Sequence, residues 1–494
     1  MTNMINNSNL LHAPPKASAM IEALRGLGYN CGTALADIVD NSIAANATNI
    51  HLDFYWDDTQ SRITILDDGN GMSKAELNHA MTLGAINPNE TRKYNDLGRF
   101  GLGLKTASFS QCRKLSVLSV KGGSLSSLRW DLNFLNECDG DGWFLIEGIE
   151  TSIKELVTPL NQQNKGTLVI WQDMDRIIEG SSNESDFLDL IDKVEMHLSM
   201  VFHRFIQSND IKIFINNKKL RHWDPFMKGH ISKAWSSPEL NYSQNSHVKA
   251  QCHVLPHKDK LTLAEYENAQ GIEGWTAQQG FYIYRNKRLL LAGSWLGLGR
   301  GRSWTKDEAH KLARIRVDLP NDLDSDWNID IRKSTARPPA YIKSWLVRLA
   351  EETRSKARSA FAYRGTPKSI KNERVAMTWK VQKSSSGIKY KIDLEHPAIQ
   401  NVVENSGSFL PQLKAMFRVI EETVPVQKIW LDTAENKETP RTNFEGDAPK
   451  EVENILRIMF ENMTIRKGMS KVFAKSQLLK TEPFHKYPEL IDRL

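Results

Sequence analysis

Residues 33–46 read Thr-Ala-Leu-Ala-Asp37-Ile-Val-Asp40-Asn41-Ser-Ile-Ala-Ala-Asn. Leu35, Ile38, Val39 and Ile43 recur at helical spacing and share one side of the predicted helix 33–46. Asp37, Asp40, Asn41 and Ala44 share the other. A carboxylate and a carboxamide at i and i+4 could activate a water and ligate Mg2+, which favours hard oxygen donors. Alone, the same residues also suit a solvated face.

Outward from this helix, 17–28 predicts another helix, and Ile50, Leu52 and Phe54 alternate with polar residues in a strand. Arg62–Leu66 predicts a second strand. Residues 73–83 read as a helix and 84–97 as a long polar loop. Strand patterns recur near 114–121, 125–132, 143–149 and 166–171. Helices on one side of an antiparallel or mixed sheet satisfy this order. A second α/β unit is expected over about 180–365, with strands at 211–216 and 281–292 and a helix at 340–360. Arg364–Lys368 reads as a linker. A hairpin near 375–393 and helices near 408–423 and 448–463 follow.

Three further motifs carry chemistry. Asp67-Asp-Gly69-Asn-Gly71-Met72 ends a strand, where one carboxylate could accept from an exocyclic amine and two glycines could let backbone approach a flat ligand. Gly98-Arg-Phe-Gly101-Leu-Gly103-Leu-Lys105-Thr106 precedes a helix and suits a cradle for phosphate oxygens. Its spacing is neither a Walker A loop nor a Rossmann fingerprint. Gly166-Thr167 opens a strand, and a threonine hydroxyl beside a buried aspartate could help hold a purine edge. Each motif, taken singly, also has a purely structural reading.

In this order the four elements resemble the GHKL superfamily: gyrase-type topoisomerases, ninety-kilodalton heat-shock chaperones, histidine kinases and MutL. The resemblance covers residues 17–175. It implies an α+β fold, with a Bergerat-type ATP-binding α/β sandwich at 1–178, a transducer-like α/β domain at 179–365 and a small C-terminal α/β region at 366–494. It implies Asp37 as general base, Asn41 as Mg2+ ligand and Asp67 as adenine-binding carboxylate beside Gly69 and Gly71. Gly98, Gly101 and Gly103 become the phosphate loop with Lys105 and Thr106, Thr167 supports Asp67, and 84–97 becomes a lid over ATP. Most hydrolysing members carry Glu where this chain has Asp37, which implies slow turnover. The phrases Leu24-Arg-Gly-Leu-Gly-Tyr29 and Gly101-Leu-Gly-Leu-Lys105-Thr-Ala-Ser108 resemble the prokaryotic MORC-like and MutL-like branch. Gln279–Arg288 and Asp326–Ser334 resemble its transducer domain, in which Lys333 best fits the lysine that reaches the γ-phosphate. The resemblance further implies an ATP-dependent homodimer closing on DNA, and a defence role beside nuclease or helicase partners. The alternative is an ATP-binding switch with negligible turnover that recruits a protein through 375–494.

The 494 residues suggest about three domains. With 40% hydrophobic and 25% charged residues, the composition excludes fibrous, collagenous and disulfide-rich classes. No run approaches the ~20 apolar residues of a membrane span. The polar N-terminus lacks an apolar signal core, so a cytoplasmic location and no membrane contact are expected. Cys31, Cys112, Cys138 and Cys252 stand far apart, as in a reducing compartment. Net charge is 65 − 59 = +6. Residues 1–110 hold 8 Lys/Arg and 11 Asp/Glu, whereas 285–374 hold 21 and 10, so the second stretch is expected to face DNA.

Overall fold

In a computed structural model the described residues are 15–85, 103–138, 142–177, 183–320, 323, 326–330, 335–362, 376–384, 387–429 and 450–494. The chain divides into two compact units, Met1–Gly365 and Thr366–Leu494.

Helix α1 spans Ala17–Arg25. Asn30 opens α2 (Cys31–Ala44): its side chain accepts from the Thr33 N–H at 2.8 Å, and the Thr33 hydroxyl accepts from the Asn30 N–H at 3.1 Å. Strands β1 (Asn49–Tyr55) and β2 (Arg62–Asp67) pair antiparallel, with Ile50 opposite Asp67. A Ser73–Glu76 capping box opens α3 (Lys74–Met81), and α4 spans Gly103–Phe109. Then come β3 (Lys114–Lys121), β4 (Ser124–Asp131), β5 (Ile146–Glu147) and β6 (Lys165–Gln172). Only two residues of the expected strand 143–149 pair, as β5.

Helix α5 (Glu184–Val201) leads to β7 (Lys212–Ile215) and β8 (Lys218–Lys219), which complete an eight-stranded sheet ordered β5-β4-β3-β6-β2-β1-β7-β8. Neighbours are antiparallel except β1 and β7. Residue 178, the expected boundary, falls between β6 and β7 of this one sheet. A parallel strand arriving after a crossover helix leaves no local sign of which sheet it joins.

The pleat sorts the core. Leu115, Val117, Val169 and Trp171 pack with Leu35, Ile38, Val39, Phe109 and Leu198 on the helical face. Leu118, Val120, Leu168 and Ile170 point the other way, onto Ile153, Val157 and Leu160.

The second sheet contains β9 (Trp235–Ser236), β10 (Leu240–Tyr242), β11 (Asn245–Val254), β12 (Gly280–Arg285), β13 (Arg288–Ser294) and β14 (Ala313–Leu319). Its order is β10-β11-β14-β12-β13, with β9 on β11 and β12 parallel to β14. The expected single strand 281–292 is a hairpin, β12–β13. Asn286 and Lys287 turn the chain with φ of 46° and 69°. Helix α6 (Ala340–Ala362) buries Ile342, Trp345, Leu346 and Leu349 against this sheet's core.

The second unit holds the hairpin β15 (Trp379–Ser384) and β16 (Gly387–Ile392), then helices α7 (Pro397–Asn405), α8 (Leu410–Thr423), α9 (Lys450–Glu461) and α10 (Lys471–Leu479). Val452, Leu456, Phe460, Ala474, Leu478 and Ile491 form its core.

Candidate active site

Asp67 closes β2, 5% exposed. Its Oδ2 accepts from the Ser42 hydroxyl at 2.8 Å and its Oδ1 from the Gly69 N–H at 2.9 Å. Burial raises its pKa, and donors from Gly69, Ser42 and the Thr167 backbone oppose that rise. A carboxylate has about four acceptor sites, so with these three donors Asp67 keeps acceptor capacity for an exocyclic amine. This acceptor chemistry fits adenine. Thr167 is opposite Asp67 in the β2–β6 register, and its hydroxyl meets Ser119 Oγ at 2.9 Å. Ser119 also donates to the Gly166 carbonyl at 2.9 Å and accepts from the Met72 N–H at 2.8 Å. Sequence reading missed Ser42 and Ser119. Ser42 follows Asn41 directly, whereas nothing local marks Ser119.

The glycines of this corner answer to the protein's own backbone. A Cβ on Gly71, at φ 65°, would stand 1.9 Å from the Val120 carbonyl oxygen. One on Gly69 would meet Ala45 Cβ and Asp67 Oδ1 at 2.9 Å.

Asp37 and Asp40 lie one turn apart on α2, 4% and 2% exposed. On the polar side of this helix the two carboxylates are therefore buried, whereas Asn41 and Ala44 are exposed. The Tyr29 hydroxyl donates to Asp37 Oδ2 at 2.9 Å. Burial first, then the Asp37 charge, raises the Tyr29 pKa. A hydrogen bond from Thr106 opposes this, and the Asp330 charge adds to it. Arg288, on β13, reaches across from the second sheet: its Nε lies 3.2 and 3.1 Å from the two Asp40 oxygens, and its Nη2 lies 3.8 Å from Asp37 Oδ1. Its Nη1 donates to the Leu289 carbonyl at 2.9 Å. His197 of α5 is pushed down to about 4, by burial and then by the Arg288 charge. A Cβ on Gly103 would stand 3.7 Å from Asp37 Oδ2, so the start of α4 passes beside this carboxylate.

Lys105 is 2% exposed. Its Nζ donates to the carbonyls of Ala80 at 2.8 Å and Thr82 at 3.1 Å, at the end of α3, and burial lowers its pKa to about 8. Thr106 is fully buried. The structure thus brings together Asp37, Asn41, Gly103 and Thr106 around α2 and α4, and Asp67, Gly69, Gly71 and Thr167 at the end of β2. Gly98, Gly101, Lys333 and most of the loop 84–97 lie outside the described residues.

Residues 29–167 match the family described as Histidine kinase-, DNA gyrase B-, and HSP90-like ATPase. This module is a GHKL-type ATPase domain. The match runs from Tyr29 to Thr167 and spans both corners. A 96-residue stretch is 33% identical to "ATPase morc-1" of Caenorhabditis elegans, covering 19% of this chain and 11% of that protein, so the chain is MORC-like over a small part of the relative's length.

Beyond the GHKL module, the basic stretch turns most of its charge inward. Of nine Lys/Arg between Arg285 and Arg316, Arg285, Arg288, Lys311, Arg314 and Arg316 are at most 9% exposed. Arg314 donates to the Lys311 and Ala313 carbonyls at 2.6 and 3.1 Å. Lys311 pairs with Glu308, and Arg316 pairs with Glu239 and, at 3.0 Å, with Asp318. Composition counts these charges, but alternating strands turn them inward onto carbonyls and carboxylates. Lys287, Arg300, Arg302 and Lys306 are exposed; Arg300 Nε lies 2.5 Å from Glu351 on α6, and Lys287 pairs with Asp210 at 2.7 Å. Trp295 is buried and stacks edge-on with Trp304 in the core of this sheet. Among the described residues no helix is long and apolar enough to cross a membrane.

Proposed function

We propose that this chain is a Mg-ATP-dependent ATPase whose nucleotide state gates the second sheet, working as a dimeric clamp on DNA. ATP sits with its exocyclic amine on Asp67 and its phosphates toward Gly98, Gly101, Gly103 and Thr106, with Mg2+ on Asn41. Asp37 takes a proton from the attacking water, the bond from the γ-phosphorus to ADP breaks, and inorganic phosphate forms. Lys333 supplies a cation to the γ-phosphate. Asp330, whose charge bears on Tyr29, precedes it by three residues. With Arg314 and Lys311 internal, DNA contact falls to exposed cations: Arg300, Arg302, and Lys343, Arg348 and Arg358 on α6. Lys105, held on the Ala80 and Thr82 carbonyls, ties α4 to the start of the expected lid. A defence setting with nuclease or helicase partners, in the cytoplasm, completes this reading.

One observation carries the gate: the buried contact of Arg288 with Asp40, beside Asp37, joins the second sheet to the nucleotide motif. The test is steady-state ATP hydrolysis with and without duplex DNA, using Asn41→Ala as the blank. Turnover above the blank and raised by DNA supports the clamp.

A second reading rests on Asp37 itself. It is one methylene shorter than glutamate and already accepts from Tyr29. Tight ATP binding with turnover at the blank's level supports a nucleotide switch that recruits a protein through residues 375–494.

A further inference from the structure

We infer that Arg288 is a positioning residue for Asp37, through which the place of strand β13 sets whether the base can work. This rests on the hydrolytic reading above. Three observations converge on it.

The first is geometric. Arg288 lies against both carboxylates of the α2 motif at once, with Nε shared between the Asp40 oxygens at 3.1 and 3.2 Å and Nη2 at 3.8 Å from Asp37 Oδ1. Its own Nη1 is fixed on the Leu289 carbonyl, so the planar fork cannot rotate independently of β13.

The second is enclosure. Arg288, Asp37 and Asp40 are each no more than 4% exposed. In such a site a cation at this distance acts on a carboxylate with little screening, whereas a surface pair is worth little.

The third is how Asp37 is held. Tyr29 takes Oδ2 from one side while Arg288 faces Oδ1 from the other. Tyr29 belongs to the GHKL module and moves with α2; Arg288 stands on the other sheet. A displacement of β13 would remove the Arg288 contact and leave the Tyr29 hydrogen bond in place. The carboxylate would then rotate away from the water, and only the chemical step would suffer. The adenine contact proposed at Asp67 rests on Ser42 and Gly69 rather than on β13, so base recognition would keep its supports.

The test uses the full chain. Arg288→Gln and Arg288→Lys are compared with wild type and with Asp37→Ala, measuring ATP turnover and, separately, Mg·ADP affinity by calorimetry. Arg288→Gln is expected to lower kcat by about tenfold or more while the Mg·ADP Kd stays within about twofold. Arg288→Lys keeps the charge without the fork and is expected to fall between. In Arg288→Ala, millimolar guanidinium chloride is expected to restore part of the lost turnover while the Mg·ADP Kd stays unchanged. An unchanged kcat in folded Arg288→Gln overturns the inference alone. So does a kcat loss matched by an equal loss of Mg·ADP affinity with no guanidinium rescue. Should Arg288→Gln fail to fold, Arg288→Lys decides by the same split. Wild-type turnover no higher than that of Asp37→Ala overturns the hydrolytic reading, and this inference falls with it.

Discussion

Asp67 and Asp37 are both aspartates of the same module, buried to within 5% of full enclosure, yet their partners come from different distances along the chain. Asp67 is satisfied by Ser42, Gly69 and the strand bearing Thr167, all inside the GHKL match. Asp37 and its neighbour Asp40 draw on Tyr29 but also on Arg288, 248 residues beyond Asp40. The Asp67 corner is closed within one sheet and the helix over it. The Asp37–Asp40 pair instead takes a side chain from the second sheet.

The difference can be broken experimentally. The largest effect is expected from Arg288→Ala, which leaves two buried carboxylates short of a cation and should cost about 3–5 kcal/mol in urea unfolding of the full chain. A loss below about 1 kcal/mol would mean the base corner is as self-contained as the purine corner. Asp67→Ala should instead weaken Mg·ATP binding by roughly a hundredfold, about 2.7 kcal/mol. It should leave Arg288-dependent stability alone, and an equal effect on both would erase the distinction.

Acid should find the junction between sheets. His203 holds Tyr284 of β12 at 2.8 Å, and burial pushes its imidazole down to about 3; His253 in β11 is pushed to about 2, again chiefly by burial. Both are neutral when folded. Below the unfolded value near 6.5 the unfolded chain takes up protons that the folded chain refuses, so stability present above pH 6.5 is lost as pH falls toward the folded values. At pH 5 the loss is about 2 kcal/mol apiece, checked by thermal unfolding of wild type and His203→Phe at pH 7 and 5. Smallest of all, Ser119→Ala should cost about 1 kcal/mol and loosen the Met72 and Thr167 contacts without altering turnover per bound nucleotide.

The Asp67 corner was largely legible in the sequence because its determinants are local. A strand ending in Asp67 and two glycines are readable from periodicity and residue type, and α2 emerged with its apolar stripe as expected. What sequence could not supply was the environment of the opposite stripe. Asp37 and Asp40 suit a solvated face as well as a site, because no local pattern announces that β13 lies over them. The same blindness made Arg314 and Arg316 look like surface charge, since composition does not record which way a strand residue points. Asn286-Lys287 was passed over because lysine is not an expected turn residue, although both residues adopt left-handed conformations there.

Strand β7 carries a practical corollary. Lys212–Ile215 hydrogen-bond along Asn49–Leu52, and Ile213 and Ile215 are buried. A fragment cut at the limits of the family match would strip this partner away and present β1 as a raw, sticky border able to recruit the same border of another molecule. An excised nucleotide-binding fragment that behaves well in solution should therefore run past Lys219.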